Sequence, residues 1–79
     1  MEKKLKLVWD FYGPDAEKFA EHHAIHLNEY LAKSDLQLNI TGAEKVEENH
    51  FMAFIVVLES EMLQVRDTLK PHRGFWYEG

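Results

Sequence analysis

The feature that most constrains the fold is an apolar segment that begins at residue 51. The run Phe-Met-Ala-Phe-Ile-Val-Val-Leu fills residues 51–58 without a polar or charged side chain. The segment is short for a buried helix, and its β-branched and aromatic side chains favour an extended strand. A strand without alternation is apolar on both faces, which is typical of the middle of a sheet. The sequence therefore predicts a central strand over residues 50–58.

Three further segments have the composition of strands. Alternating apolar and polar residues predict a strand over 5–12 and another over 36–41, with Gly42 at a bulge and Val46 in an extension of the second strand. The aromatic run over 75–77 predicts a short last strand. The central strand thus has three potential partners in the sheet.

Two segments with helical spacing separate these strands. Apolar residues recur at every third or fourth position after Gly13-Pro14, so we expect a helix from Asp15 to Lys33. A shorter helix is expected to begin at Glu59 or Ser60 and to end at Lys70-Pro71.

The resulting order of elements is β-α-β-β-α-β, in a single α+β domain that spans residues 1–79. Right-handed crossovers convert this order into a ferredoxin-like plait, a four-stranded antiparallel sheet with two helices on one face and the first and third strands in its centre. The chain offers no cover for the other sheet face, although residues 52, 54, 56 and 58 of the central strand are apolar. We therefore expect a homodimer that forms through the open sheet face. The alternative is that the long first helix and the C-terminal residues of the same chain shield more of this face.

Composition and charge restrict the partners. The chain has 14 acidic and 9 basic residues and a net charge of −5, which argues against nucleic acid and anionic membranes. It has no cysteine, which excludes disulfides and thiolate metal sites. No secretion signal, membrane-spanning run or glycine-rich phosphate motif is present, so we expect a cytoplasmic protein without a cofactor.

The predicted topology gathers polar side chains at one end of the sheet. They come from the end of the first strand and the starts of the third and fourth strands: Asp10, Tyr12, His50, His72 and Arg73. His50 and His72 are candidate catalytic acids or bases, and Asp10 is a candidate to orient them. Tyr12, Arg73 and Trp9 are candidate contacts for a small carboxylate- or enolate-like ligand. The same residues also fit an ordinary polar rim around a loop.

Three further histidines lie on the long predicted helix. His23 falls within its apolar stripe, where we expect it to be buried and hydrogen-bonded at the helix–sheet interface. His22 and His26 have the i, i+4 spacing of two metal-binding imidazoles, and Glu29 is the candidate third ligand. The H-E-x-x-H pattern is absent, so we expect no native metal site. Metal binding by these three side chains is the weaker alternative.

The segment Ala24-Ile25-His26-Leu27-Asn28-Glu29-Tyr30-Leu31 resembles the helix of YCII-related domains. Those domains belong to the dimeric α+β-barrel group, whose protomers close sheet against sheet. Thr41-Gly42-Ala43 stands where that family has a glycine-proline step on its second strand. The resemblance implies a homodimer and makes His26 a third candidate catalytic residue.

The family's helix histidine pairs with an aspartate of an Asp-Pro step after the second helix. This chain has Lys70-Pro71 at that step, so the resemblance implies a role for His26 only if Asp67 or His72 replaces the aspartate. The amino-acid-sensing ACT domain is a second similar family, in which Gly13 would match the glycine between the first strand and the helix.

The sequence does not name a reaction. The favoured interpretation is a small homodimer that binds a small organic ligand, with acid–base chemistry left open. The alternatives are a non-catalytic, ACT-like sensing or assembly domain and a protein that binds metal through its helix histidines.

Overall fold

The computed structural model describes residues 2–78 and confirms the α+β order of elements. A short 3-10 turn (Glu59–Glu61) leads into the second helix. The strands and α-helices are β1 (Lys4–Tyr12), α1 (Ala16–Ala32), β2 (Ile40–Glu47), β3 (His50–Leu58), α2 (Met62–Leu69) and β4 (Arg73–Tyr77).

The four strands form one antiparallel sheet in the order β2-β3-β1-β4. This is the predicted plait, with β1 and β3 in the centre and β2 and β4 at the edges. Alternate residues of β1, including Leu7 and Trp9, form one core cluster with Leu27 of α1 and Val65 of α2. Both helices therefore cover the same face of the sheet. Within residues 2–78, neither helix combines the length and the apolar character that a bilayer crossing requires.

The predicted position of the second strand is wrong. β2 begins at Ile40, which lies opposite Val56 of β3, and in this register residues 36 and 37 run past Leu58, where β3 ends. The first half of the alternation over 36–39 therefore has no strand to pair with, and the backbone N–H of Gln37 donates to Glu61 Oε2 instead, at 2.9 Å. The bulge lies between Lys45 and Glu47 rather than at Gly42.

The open face of the sheet is better covered than the sequence predicts. Val8 and Val56 lie at its centre, and both are 0% exposed within a single chain. Part of the cover is Lys6, whose Nζ lies 4.4 Å from the centroid of the Phe54 ring and 2.7 Å from Glu44 Oε1. Long polar side chains shield neighbouring apolar surface in this way through their aliphatic stems. The expectation of a wholly uncovered apolar face is therefore wrong at the centre of the sheet.

The end of α2 provides a test of the fold. Lys70 has a φ of 50°, in the left-handed region, where a side chain costs about 1–2 kcal/mol. We expect Lys70→Gly to raise the free energy of unfolding by about 0.5–1 kcal/mol, because glycine adopts this conformation without that penalty but makes the unfolded chain more flexible.

The matched control is Lys33→Gly at the end of α1, where φ is −104°. There, glycine brings only added flexibility, and we expect the free energy of unfolding to fall by about 0.5–1 kcal/mol. Urea denaturation of both variants checks the opposite signs, and a loss of stability in Lys70→Gly would contradict the left-handed end of α2.

Candidate functional site

The sheet register brings three charged or polar side chains together on the open face. The pairing of β1 with β4 ends at Val8, which lies opposite Arg73, and the pairing of β1 with β3 ends at Tyr12, opposite His50. Asp10 lies between these two pairs and is the diagonal neighbour of both Arg73 and His50. Diagonal neighbours in a sheet are within reach of long side chains. The strands themselves therefore place Arg73 and His50 around Asp10.

The Asp10 carboxylate accepts hydrogen bonds from both side chains. Its Oδ1 accepts from His50 Nε2 at 2.7 Å and from Arg73 Nη2 at 2.7 Å. Its Oδ2 accepts from Arg73 Nε at 2.8 Å. The two bonds from the guanidinium form a bidentate pair, the strongest geometry for an arginine and a carboxylate. We call Asp10, His50 and Arg73 the sheet-face cluster.

The sheet-face cluster keeps Asp10 ionised although little of it is exposed. Only 7% of the Asp10 side chain is exposed, against 47% for Arg73. Burial on its own raises the pKa of Asp10, but the hydrogen bonds and charges of Arg73 and His50 outweigh it and lower the pKa below its usual value. The hydrogen bond to Asp10 in turn raises the pKa of Arg73. Asp10 and Arg73 therefore form an ion pair at neutral pH.

The contacts of His50 determine where its proton lies. An ionised carboxylate can only accept hydrogen bonds, so the Nε2 that faces Asp10 carries the hydrogen. In the neutral ring the other nitrogen, Nδ1, then carries the lone pair. Tyr12 stacks on the imidazole at 4.2 Å between ring centroids and limits its rotation. A histidine with one nitrogen bonded to a carboxylate and a basic second nitrogen is the arrangement of a general base.

His72 contacts the backbone of Asp10 rather than its carboxylate. The backbone N–H of Asp10 donates to His72 Nδ1 at 2.9 Å, and the backbone N–H of His72 donates to the carbonyl of Val8 at 2.9 Å. These bonds continue the β1–β4 ladder beyond the last paired residues. His72 therefore supports the backbone beneath the sheet-face cluster.

The structure separates two of the candidate site residues from this cluster. Trp9 is 4% exposed on the helix side of the sheet, where its Nε1 donates to the carbonyl of Leu69 at 3.1 Å. His26 lies on the exposed side of α1. The structure thus brings together Asp10, Tyr12, His50, His72 and Arg73, and leaves Trp9 and His26 elsewhere.

The pairing that the YCII-related resemblance implies for His26 is not formed within residues 2–78. His26 contacts His22 and Glu29, Asp67 lies 3.5 Å from Arg66, and His72 Nδ1 is bonded to the backbone of β1. The expected substitutes for the family's aspartate are therefore engaged with other groups.

His23 lies at the helix–sheet interface, as predicted, but lacks the expected hydrogen bond. Its ring packs against Trp9 and Phe11, with ring centroids 4.8 Å and 5.7 Å away, and its buried Nε2 has no hydrogen-bond partner among the described residues. Burial lowers its pKa, and the nearby histidines 26, 72 and 22 lower it further. His23 is therefore a neutral packing residue.

The exposed histidines of α1 form a pair. His22 Nε2 and His26 Nε2 are 2.8 Å apart, and His26 Nδ1 lies 3.2 Å from Glu29 Oε1. Across residues 2–78, no group of three or more histidine, aspartate or glutamate side chains has the arrangement that would hold a metal ion. Glu29 thus stands behind His26 and not beside the two Nε2 atoms.

Sequence reasoning missed two charged residues on the open face. Lys6 of β1 reaches across β3 to Glu44 of β2, and the two form a 2.7 Å ion pair. Only the sheet register places them near each other, because they are far apart in the sequence and belong to no motif.

Comparison of the chain with protein-family models, curated proteins and solved structures finds no match. The resemblance to YCII-related domains and to the dimeric barrel group thus depends on the sequence residues quoted above. The arguments for function below come from the chemistry of the described residues.

Asp10 provides a test of the ionised cluster. We expect Asp10→Asn to lower the free energy of unfolding by about 2–3 kcal/mol at neutral pH, because Arg73 and His50 lose a charged acceptor. The pKa of Asp10 is lower in the folded state than in the unfolded state, so its stabilisation is present above about pH 4 and is lost as the pH falls further. The wild type should therefore lose more stability in acid than the variant, as measured by urea denaturation between about pH 5 and pH 2.

The matched control is Asp35→Asn, at an exposed position, which should change the free energy of unfolding by less than about 0.5 kcal/mol. Equal acid sensitivity of the wild type and Asp10→Asn would contradict an Asp10 that is ionised preferentially in the fold.

Proposed function

We propose that this chain acts in the cytoplasm as a homodimer that binds a small organic anion at the sheet-face cluster. One observation carries the proposal. Asp10 is a nearly buried, ionised carboxylate that orients His50 and holds the partly exposed Arg73. A cluster that combines a cation and an oriented base is suited to a carboxylate- or enolate-like ligand.

Arg73 is the anchor for the anion. It uses Nε and Nη2 to bond Asp10, so the N–H groups of Nη1 and the second N–H of Nη2 are available to a ligand. Its side chain is 47% exposed, which leaves the guanidinium accessible from the open face. Tyr12, 71% exposed at the same end of the sheet, provides an aromatic ring and a hydroxyl beside it. Charge-assisted bonds from the guanidinium then set the orientation of a bound carboxylate.

His50 is the acid–base group of the proposed site. Its Nδ1 accepts a proton from an acidic C–H or O–H group of the bound anion, and Asp10 stabilises the imidazolium that forms. The proton then returns to the ligand at another atom or leaves with a product. His72 bonds the backbone of Asp10 and positions it. His26 lies on α1 and takes no part in this chemistry.

A second copy of the chain would complete the site. Phe75 and Tyr12 are exposed aromatic residues on the open face, and Arg73 lies over the Phe75 ring at 5.1 Å. Packing of a second sheet against these rings would exclude water from Arg73. Charge–charge interactions strengthen when water is excluded. The dimer therefore explains how a shallow, open cluster can bind a small anion.

A panel of small mono- and dicarboxylates tests ligand binding by two-dimensional NMR. We expect chemical-shift changes centred on residues 10, 12, 50 and 73. Arg73→Lys keeps the positive charge but loses the bidentate geometry, and we expect it to weaken binding at least tenfold. Lys6→Gln is the matched control, because Lys6 is a cation on the same face that is bonded to Glu44, and binding should persist.

His50→Gln separates catalysis from binding alone. We expect this variant to bind the ligand and to lose any turnover that the wild type shows. A ligand that the wild type binds without turnover would instead support the non-catalytic, ACT-like sensing or assembly role. Absence of chemical-shift changes with every carboxylate, or ligand-induced shift changes that Arg73→Lys leaves as they are in the wild type, would contradict the proposed site.

Light scattering tests the dimer. We expect a mass of twice the 9.3 kDa chain at micromolar concentration, and weaker association in Tyr12→Ser and Phe75→Ser. Ile25→Ser is the matched control, because Ile25 is 61% exposed on α1, away from the open face. A wild-type mass equal to one chain, or dissociation caused equally by Ile25→Ser, would contradict dimerisation through the sheet.

A further inference from the structure

The outer face of α1 carries a pair of imidazoles that the proposed ligand site does not use. His22 and His26 are both exposed and lie one helical turn apart. Their rings are stacked at 4.6 Å between centroids, with an interplanar angle of 21°. Their Nε2 atoms are 2.8 Å apart, within hydrogen-bond distance, so the two nitrogens lie side by side on the exposed face of the helix.

Glu29 lies beside the second nitrogen of one ring. Its Oε1 is 3.2 Å from His26 Nδ1, and the negative charge favours the tautomer with the hydrogen on Nδ1 and the lone pair on Nε2. A carboxylate behind the ring is the support that metal-binding histidines have in most metal sites. His22 Nε2 then donates to His26 Nε2, and a shift of its hydrogen to Nδ1 frees a second lone pair.

The spacing of the two nitrogens is closer to one type of metal site than to another. Two nitrogens bound at about 2.0–2.1 Å in adjacent positions of a tetragonal site lie about 2.9 Å apart, while a tetrahedral site separates them by about 3.3 Å. The hydrogen bond holds the nitrogens at 2.8 Å. They would therefore have to separate by only about 0.1 Å for the tetragonal geometry that Cu²⁺ and Ni²⁺ prefer, against about 0.5 Å for the tetrahedral one. Two imidazoles leave positions for water, so the pair needs no third protein ligand.

The charge around the pair also favours a cation. The shallow groove that holds His22 and His26 is lined by Lys18, Glu21 and Glu29, so its carboxylates outnumber its cations. The His26 side chain is 60% exposed, which leaves an open path for an ion. We propose that His22 and His26 bind one tetragonal divalent transition-metal ion, Cu²⁺ or Ni²⁺, with Glu29 as the positioning carboxylate of His26.

Titration of the untagged chain with Ni²⁺ by calorimetry tests the site. We expect one ion per chain, an increase of the melting temperature Tm at saturation, and affinity that falls at least tenfold in His22→Gln and in His26→Gln. Glu29→Gln should weaken binding by a smaller factor, because it removes only the support behind His26. With Cu²⁺ in place of Ni²⁺, electron paramagnetic resonance should show two equatorial imidazole nitrogens in the wild type.

The matched control moves one histidine without changing the number of histidines. The double variant Glu21→His with His22→Gln keeps 5 histidines in the chain. It places the two candidate ligands at positions 21 and 26, which lie on different sides of α1. We expect it to lose the high-affinity site. Binding equal to the wild type in this variant, or no Ni²⁺ binding tighter than millimolar by the wild type, would overturn the proposal. Neither result depends on whether the sheet-face cluster binds an anion.

Discussion

The register between β1 and β3 is the constraint on which both the core and the candidate site depend. Trp9 lies opposite Ala53, so a large side chain packs over a small one on the helix side of the sheet. Its neighbour Asp10 lies opposite Met52 on the open side. A slip of one residue would reverse the faces, with Asp10 in the core and Trp9 on the open face. The hydrophobic free energy that buries Trp9 thus also keeps Asp10 in place.

The same pair of residues ties the ends of other elements to β1. Trp9 Nε1 donates to the carbonyl of Leu69 at the end of α2, and the backbone N–H of Asp10 donates to His72 at the start of β4. The segment between these contacts contains Lys70 in its left-handed conformation. The turn that delivers Arg73 to Asp10 is therefore held at both ends by β1. The packing of α2 and the geometry of the sheet-face cluster therefore depend on the same two residues of β1.

The sequence predicts those parts of the fold that depend on pattern alone. The unbroken apolar run over 51–58 identifies β3, and the element order with its handedness brings Asp10, His50 and Arg73 to one end of the sheet. The predicted start of β2 is wrong because alternation over 36–39 indicates only a preference, while a strand also requires a partner. In the observed register residues 36 and 37 lie beyond Leu58, where β3 ends. The cover of the open face could not be predicted for a similar reason, since the contact of Lys6 with the Phe54 ring depends on the register. The missing hydrogen bond of His23 likewise depends on which atoms surround one buried nitrogen of a half-buried ring.

Gly42 and Phe54 illustrate a consequence for sequence drift. They lie opposite each other on β2 and β3, and a Cβ at position 42 would be 3.0 Å from Phe54 Cε2 and Cζ. The aromatic ring occupies the space that a side chain at position 42 would need, and Lys6 lies over the same ring. Substitutions at the two positions are therefore coupled. A larger residue at 42 requires the Phe54 ring to shift by a few tenths of an ångström or to be replaced by a smaller side chain, and replacement would also remove the surface on which Lys6 rests. In related chains with this sheet, a larger residue at position 42 should therefore occur together with a smaller residue at position 54.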